Sequence, residues 1–364
     1  MLPKPNELLA IDTETRGFDP IDPDFTVVII GLASDKGCLS FSTLDMTDSE
    51  KQELYTLISQ YQLIAHNATF DIAALRSFYP AVELTWKYCT YGLYKQIATE
   101  GYPSQKWDLK SAQLDLLGWE EANTADLYDW LLANGYHVKS NKATPDKAQM
   151  WRAPASILGK YCALDAEACW QLYKLFERQV LILPEFKELK YYHESLFMPN
   201  VMLVVEQQFR KLRVDTMKLE LYRQELKDKI ETYKAKFITL PQIRHHVEYY
   251  TRRLFEAYLQ ETPNGTLTQS NSRFRFNINS KQQLEWLFYD CLGYKPVKQT
   301  ATGRRSMDKK SLPFLGEPGQ ILIKYNALVK ELGYVEACLN SCIDGYLSVR
   351  LKPAGTLTGR AAGG

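Results

Sequence analysis

Residues 8–15 read LLAIDTET, an apolar run from Leu8 to Ile11 that ends on Asp12, Thr13, Glu14 and Thr15. Its length and composition predict a short buried strand. The period of two along a strand puts the Asp12 and Glu14 carboxylates on the same side. Two acids so placed can grip a cation, although a lone Asp-x-Glu at a strand end is most often a solvated pair. What decides the matter is what the chain adds further on.

Working outward, FTVVIIGLA (25–33) predicts a buried strand and 37–41 a third, alternating one. Thr47 opens a helix running to about Tyr61, with Glu50 three residues on as in a capping box. Leu63 to His66 is a further strand, and Phe70 to Phe78 a helix. The stretch from Gln105 to Gln149 is aromatic and loop-rich, and Ala153 to Val180 predicts a long helix. Strands alternating with helices indicate an α/β domain over 1–183, with Pro184 as punctuation. Residues 184–364 read as a second, mainly helical domain.

A second acidic element lies in HNATFD (66–71), where Asp71 falls in the first turn of the predicted helix. Read locally, Asn67 caps that helix and Asp71 favours its positive end; His66 reads as a packed or hydrogen-bonded side chain. The third element is Tyr161-Cys162-Ala163-Leu164-Asp165. A helical spacing of four stacks the Tyr161 phenol and the Asp165 carboxylate on one face.

Each element is ordinary alone, but their order, flanking structure and separation together match the three motifs DxE, NxxFD and YxxxD. The chain thus resembles the DnaQ-like 3′→5′ exonucleases of the DEDDy branch, in which a tyrosine stands four residues before the last aspartate. The resemblance implies an RNase H-like fold and two Mg²⁺ or Mn²⁺ ions, the hard cations that oxygen ligands select. It further implies that Asp12 bridges both ions, that Glu14 and Asp165 complete the one activating water, and that Asp71 supports the other through water. Tyr161 would aim the nucleophile, and Thr13, Asn67 and Phe70 would contact the terminal nucleotides.

Bulk properties agree with a folded protein. The chain has 364 residues, 45% of them hydrophobic, enough for two or three packed domains. No apolar run approaches the roughly 18 residues a membrane span needs, and the start lacks a signal-peptide pattern, so a cytoplasmic location is expected. The seven scattered cysteines form no zinc-like pairs and read as reduced thiols. The net charge of +1 divides unevenly: residues 1–183 carry −8 and residues 184–364 carry +9. An acidic metal-binding half joined to a basic polyanion-binding half fits that division.

The second half is similar to family A (Pol I-like) DNA polymerases, particularly phage forms that keep an exonuclease in front. The similarity rests on SLFMPNVMLVVEQQFRKLRVD (195–215), on 276–315 with its Asn, Ser, Gln-Leu and Thr-x-Thr-Gly positions, and on LKPAGTLTGRAAGG (351–364). It implies an α-helical thumb segment and, from its arrangement, a viral source, with the host cytoplasm as its location. Residues 295–310 carry six basic side chains (Lys295, Lys298, Arg304, Arg305, Lys309, Lys310) against one acid, Asp308. With Thr300 and Thr302 they suit phosphate contact, as does Arg360 in the Thr-Gly-Arg motif. Because the sequence stops before any palm or fingers, the expectation is the amino-terminal part of a split polymerase, or a fragment of one. It would proofread DNA 3′ ends but not polymerise alone, and a second chain would supply palm and fingers. An RNase D-like RNA exonuclease and a non-catalytic DNA-binding subunit are the competing readings.

Overall fold

The computed structural model describes residues 2–97, 107–119, 124–263, 265–299, 303–353, 355–356 and 360–363. They form two compact units, Met1–Leu212 with Ser348–Gly364, and Arg213–Leu347.

The first unit is built on a mixed five-stranded sheet in the order β3-β2-β1-β4-β5, from β1 (Leu8–Arg16), β2 (Thr26–Ser34), β3 (Gly37–Ser42), β4 (Gln62–Ala65) and β5 (Thr85–Cys89). The first three strands are antiparallel neighbours, and β4 and β5 add in parallel beside β1. Crossovers are made by α1 (Asp48–Ile58) and α2 (Ala68–Phe78). The capping box expected at Thr47 is formed: Glu50 N–H donates to Thr47 Oγ1 at 3.3 Å, and Thr47 N–H donates to Glu50 Oε2 at 2.7 Å.

Alternation along β1 sorts its side chains between two cores. Leu9 and Ile11 pack with α1, α2 and residues 197–205, whereas Ala10 packs with Ala33, Ile64 and Trp170 on the opposite face. That opposite face is covered by α3 (Thr90–Ile97), α4 (Leu109–Asp115), α5 (Ala125–Ala133) and the 22-residue α6 (Ala155–Phe176), which carries Tyr161 and Asp165. A hairpin of β6 (His137–Val138) and β7 (Asn141–Pro145) leads into a 3-10 turn at Lys147–Arg152.

Gly31 of β2 governs how closely α6 approaches the sheet. Gly31 is the register partner of Asp12, and a Cβ there would sit 2.7 Å from the Cys162 carbonyl carbon in α6. Glycine lets the α6 backbone lie directly on the strand beside the carboxylates. Gly31→Ala must push α6 away, and overpacking of this kind costs about 1–3 kcal/mol. We expect a lower melting temperature and a disproportionate loss of nuclease activity; an unchanged melting temperature together with unchanged activity would remove this role.

The compact units do not follow the charge boundary at residue 183. Segments α7 (Lys187–Tyr192) and α8 (Met198–Arg210) belong with the first unit. Phe197, Met198, Val201 and Val205 enter its core, Tyr88 donates from its hydroxyl to Glu194 Oε1 at 2.6 Å, and Arg76 pairs with Glu206. Charge is a surface property, whereas the apolar stripe of α8 is buried against the sheet's first core.

The second unit is helical, as expected. The long α9 (Thr216–Thr239) lies against the last long helix, with α10 (Pro241–Glu261) and the short α11 (Lys281–Glu285) between them in sequence and α12 (Gly316–Ser341) closing the unit. Phe237, Phe288, Leu287 and Leu322 fill the core. Met217 and Leu221 are 80% and 72% exposed, and with Leu339 they line an apolar cleft. No described helix is long and apolar enough to cross a membrane.

Candidate active site

β1 and α6 bring three carboxylates together. Oxygen atoms of Asp12, Glu14 and Asp165 lie within 4.8 Å of one another, Asp165 buried and the other two half-buried. This is the convergence that the alternation of β1 and the spacing in α6 predict. Tyr161, one turn before Asp165, is nearly buried beside them.

Asp71 enters from the other face of the sheet, through α2. Thr13 alternates with Asp12 and Glu14 and so points toward α2, where its hydroxyl donates to Asp71 Oδ1 at 2.7 Å. Asp71 is not part of the close group of three, but its charge is near enough to raise both Asp12 and Glu14. Thr13 therefore positions the fourth acid rather than lying open to solvent; it is 6% exposed.

The electrostatics show a site short of positive charge. Burial, then repulsion from Asp165, Asp71 and Glu14, holds the Asp12 carboxyl well above the usual carboxylate range. Burial followed by Asp165 pushes Glu14 up to about 8, and burial pushes Asp71 up to about 7 despite the Thr13 hydrogen bond. Burial and the same acids push the Tyr161 phenol up, so it stays a hydroxyl throughout the neutral range. Hard oxygen donors with unrelieved negative charge are the donor set that suits Mg²⁺ or Mn²⁺.

Two site residues have no counterpart in the sequence reading. Lys110 of α4 pairs through Nζ with Asp165 Oδ1 and stands 4.2 Å from the centre of the Tyr161 ring. Gln113, one turn on, donates from Nε2 to the same Asp165 oxygen at 3.1 Å. A lysine and a glutamine on a short helix 50 residues before the motif look like solvated surface, and nothing local marks them.

The remaining expectations divide. His66 is hydrogen-bonded as read: burial brings its imidazole down to about 4, and the Trp107 carbonyl accepts from Nε2 at 3.0 Å while Thr90 Oγ1 donates to Nδ1 at 2.9 Å. Asn67 is exposed at the start of α2 in a left-handed conformation (φ 61°); it does not cap the helix as expected, its side chain instead accepting from the Thr69 hydroxyl at 3.2 Å. Phe70 is half-buried against the first core. The basic loop belongs to the second unit, and three of its six charges are paired there: Arg305 with Asp290, Arg304 with Glu285 at 3.7 Å and Lys298 with Asp308 at 3.9 Å. Thr300 and Thr302 lie outside the described residues, as do Thr358 and Gly359. Arg360 is exposed in the segment returning to the first unit, its N–H donating to Thr356 Oγ1 at 3.0 Å.

Comparison with known proteins agrees with this geometry. No curated protein matches the chain. Among solved structures, the polymerase domain of Pol1 from M. smegmatis, in complex with DNA primer-template and dNTP, superposes with a TM-score of 0.65 at 14% identity. The match covers 98% of this chain and 50% of that one, so the chain spans half the length of the solved relative. A family model described as 3′-5′ exonuclease, of the DNA polymerase A type, matches residues 2–181. The first half of the chain, with its α/β sheet and converging acids, is thus similar over residues 2–181 to the 3′-5′ exonuclease domain of the DNA polymerase A type.

Proposed function

We propose that the chain is a DEDDy-type exonuclease that removes nucleoside 5′-monophosphates from DNA 3′ ends, as the proofreading part of a family A DNA polymerase. The observation carrying this reading is the convergence of Asp12, Glu14 and Asp165 next to the Tyr161 hydroxyl. In this reading the nuclease chemistry lies within residues 1–183, α7 and α8 pack on that domain, and residues 213–347 supply a thumb segment; polymerisation would require palm and fingers from elsewhere, in a second chain or a longer one.

Asp12, Glu14 and Asp165 would hold divalent cations, two ions in the two-metal scheme, with Asp71 supporting the second. When bound, such ions activate water and stabilise the charge on the departing oxygen. The protein's own groups do the rest. Thr13 holds Asp71 in one orientation, and Lys110 and Gln113 hold Asp165. The Tyr161 hydroxyl orients the attacking water by a hydrogen bond. Water adds to phosphorus, the bond from phosphorus to the 3′ oxygen breaks, and that oxygen takes up a proton as the mononucleotide leaves.

Incubating the purified chain with 5′-labelled single-stranded DNA and Mg²⁺ or Mn²⁺ should give a ladder shortening from the 3′ end, with EDTA abolishing it. An RNA of the same sequence should be trimmed more slowly. Faster trimming of RNA would favour an RNase D-like role, and no cleavage of either by folded protein would overturn the nuclease reading.

A further inference from the structure

The parallel strands β4 and β5 end side by side, Ala65 in register with Cys89, so the next residues, His66 and Thr90, leave the sheet at one corner. Both side chains can donate and accept hydrogen bonds, and Thr90 is fully buried. Several elements meet there. Thr90 Oγ1 lies 2.9 Å from His66 Nδ1 and 3.6 Å from Cys169 Sγ, and His66 Nε2 lies 3.0 Å from the Trp107 carbonyl oxygen. Cys169 stands one helical turn beyond Asp165 in α6. Trp107 immediately precedes Asp108, which caps α4 by accepting from the Ser111 N–H at 3.1 Å. The start of α2 is tied to the same corner, because the Ala68 N–H, three residues before Asp71, donates to Cys89 Sγ at 3.5 Å.

The direction of each bond in this chain is fixed. A carbonyl only accepts, so His66 Nε2 carries the proton that goes to Trp107. Burial brings the imidazole down to about 4, so at neutral pH Nδ1 has no proton and accepts from the Thr90 hydroxyl. Thr90 Oγ1 is then left to accept from the Cys169 S–H. No member of such a chain can turn without leaving a buried polar group unpaired, which is costly.

We infer that Thr90 and His66 are positioning residues for the nuclease reaction, Thr90 holding α6 and His66 holding α4 against the corner from which α2 also starts. Asp165 rides on α6, Lys110 and Gln113 reach it from α4, and Asp71 rides on α2. The corner thus sets where Asp165 stands relative to Asp71, whereas Asp12 and Glu14 are placed by β1 itself. Groups behind a metal ligand orient it, and losing one typically costs about 10–100-fold in metal affinity or activity. The inference rests on the exonuclease reading, which makes Asp165 a cation ligand.

The test reads Mn²⁺ binding to the full chain by electron paramagnetic resonance without DNA, and kcat and KM on 5′-labelled oligo(dT). Thr90→Val keeps the β-branched shape and removes the hydroxyl. It should weaken Mn²⁺ binding and lower kcat about 10–100-fold each, with KM for oligo(dT) changed less than about threefold. Thr90→Ser, which keeps the hydroxyl, should recover both to within about threefold of wild type. His66→Asn keeps an acceptor for Thr90 but cannot reach Trp107, and should show a loss of the same size. That second cut decides the matter where the valine variant fails to fold. Wild-type Mn²⁺ affinity and kcat in Thr90→Val or His66→Asn, or no rescue by serine, would overturn the inference. If the wild type binds Mn²⁺ but cleaves no DNA, the exonuclease reading fails, and weaker Mn²⁺ binding in Thr90→Val restored by serine still upholds the positioning role. A wild type that binds no Mn²⁺ overturns both.

Discussion

Asp12→Asn should lower the rate of 3′-nucleotide release by at least about 10³-fold, since a lost metal ligand removes several kcal/mol of transition-state stabilisation and each 1.36 kcal/mol is tenfold. The same substitution should raise, not lower, the melting temperature of the protein in EDTA at pH 8. Asp12 sits half-buried among Asp165, Asp71 and Glu14, whose repulsion adds to burial in disfavouring its charge. A neutral amide of the same shape relieves that repulsion and keeps an oxygen for Cys162 Sγ, which donates to Asp12 Oδ2 at 3.5 Å. Opposite signs for activity and stability separate loss of a ligand from loss of fold. The assignment fails if Asp12→Asn retains activity within tenfold of wild type, or if it loses stability and activity together.

The second large effect is the response to Mg²⁺ as a function of pH. Glu14, pushed up to about 8 from an ordinary 4.5, and Asp71, pushed up to about 7 from 3.8, hold protons in the folded metal-free protein that the unfolded chain has released. Between those limits the folded state binds more protons, so stability falls as pH rises from about 4 to about 8. Cations compete with these protons, and their stabilisation should therefore grow across the same window. At a concentration of 100 Kd a ligand adds about 2.7 kcal/mol. For a unit of roughly 200 residues that is about 5–10 °C in melting temperature. Calorimetry with and without 10 mM MgCl₂ at pH 5.5 and 8.5 should show the larger shift at pH 8.5. A larger shift at pH 5.5, or none at either pH, would mean that the acids do not form the cation site.

Much of the acid cluster was legible because each of its parts is local. A strand's alternation places Asp12 beside Glu14, a helix's pitch places Tyr161 beside Asp165, and both survive folding unchanged. Lys110 and Gln113 were not legible, because they gain meaning only when α4 lands on α6, 55 and 52 residues away from their partner. The partners of the basic loop were not legible either. Six cations in sixteen residues suggest an open phosphate site, but Asp290 and Glu285, which sequence proximity does not attach to it, fold back onto Arg305 and Arg304.

By itself, then, the sequence determined the α/β pattern of the first half and the helical second half, and through periodicities spanning a few residues it put Asp12 beside Glu14 and Tyr161 beside Asp165. Tertiary structure alone decided that Thr13 serves Asp71, that Lys110 faces Asp165, that Gly31 admits α6, and that residues 184–212 belong with the nuclease core. The physical reason is common to these cases. Each depends on which apolar faces find one another across long stretches of chain, and burial is non-directional, so composition and charge do not announce the partner.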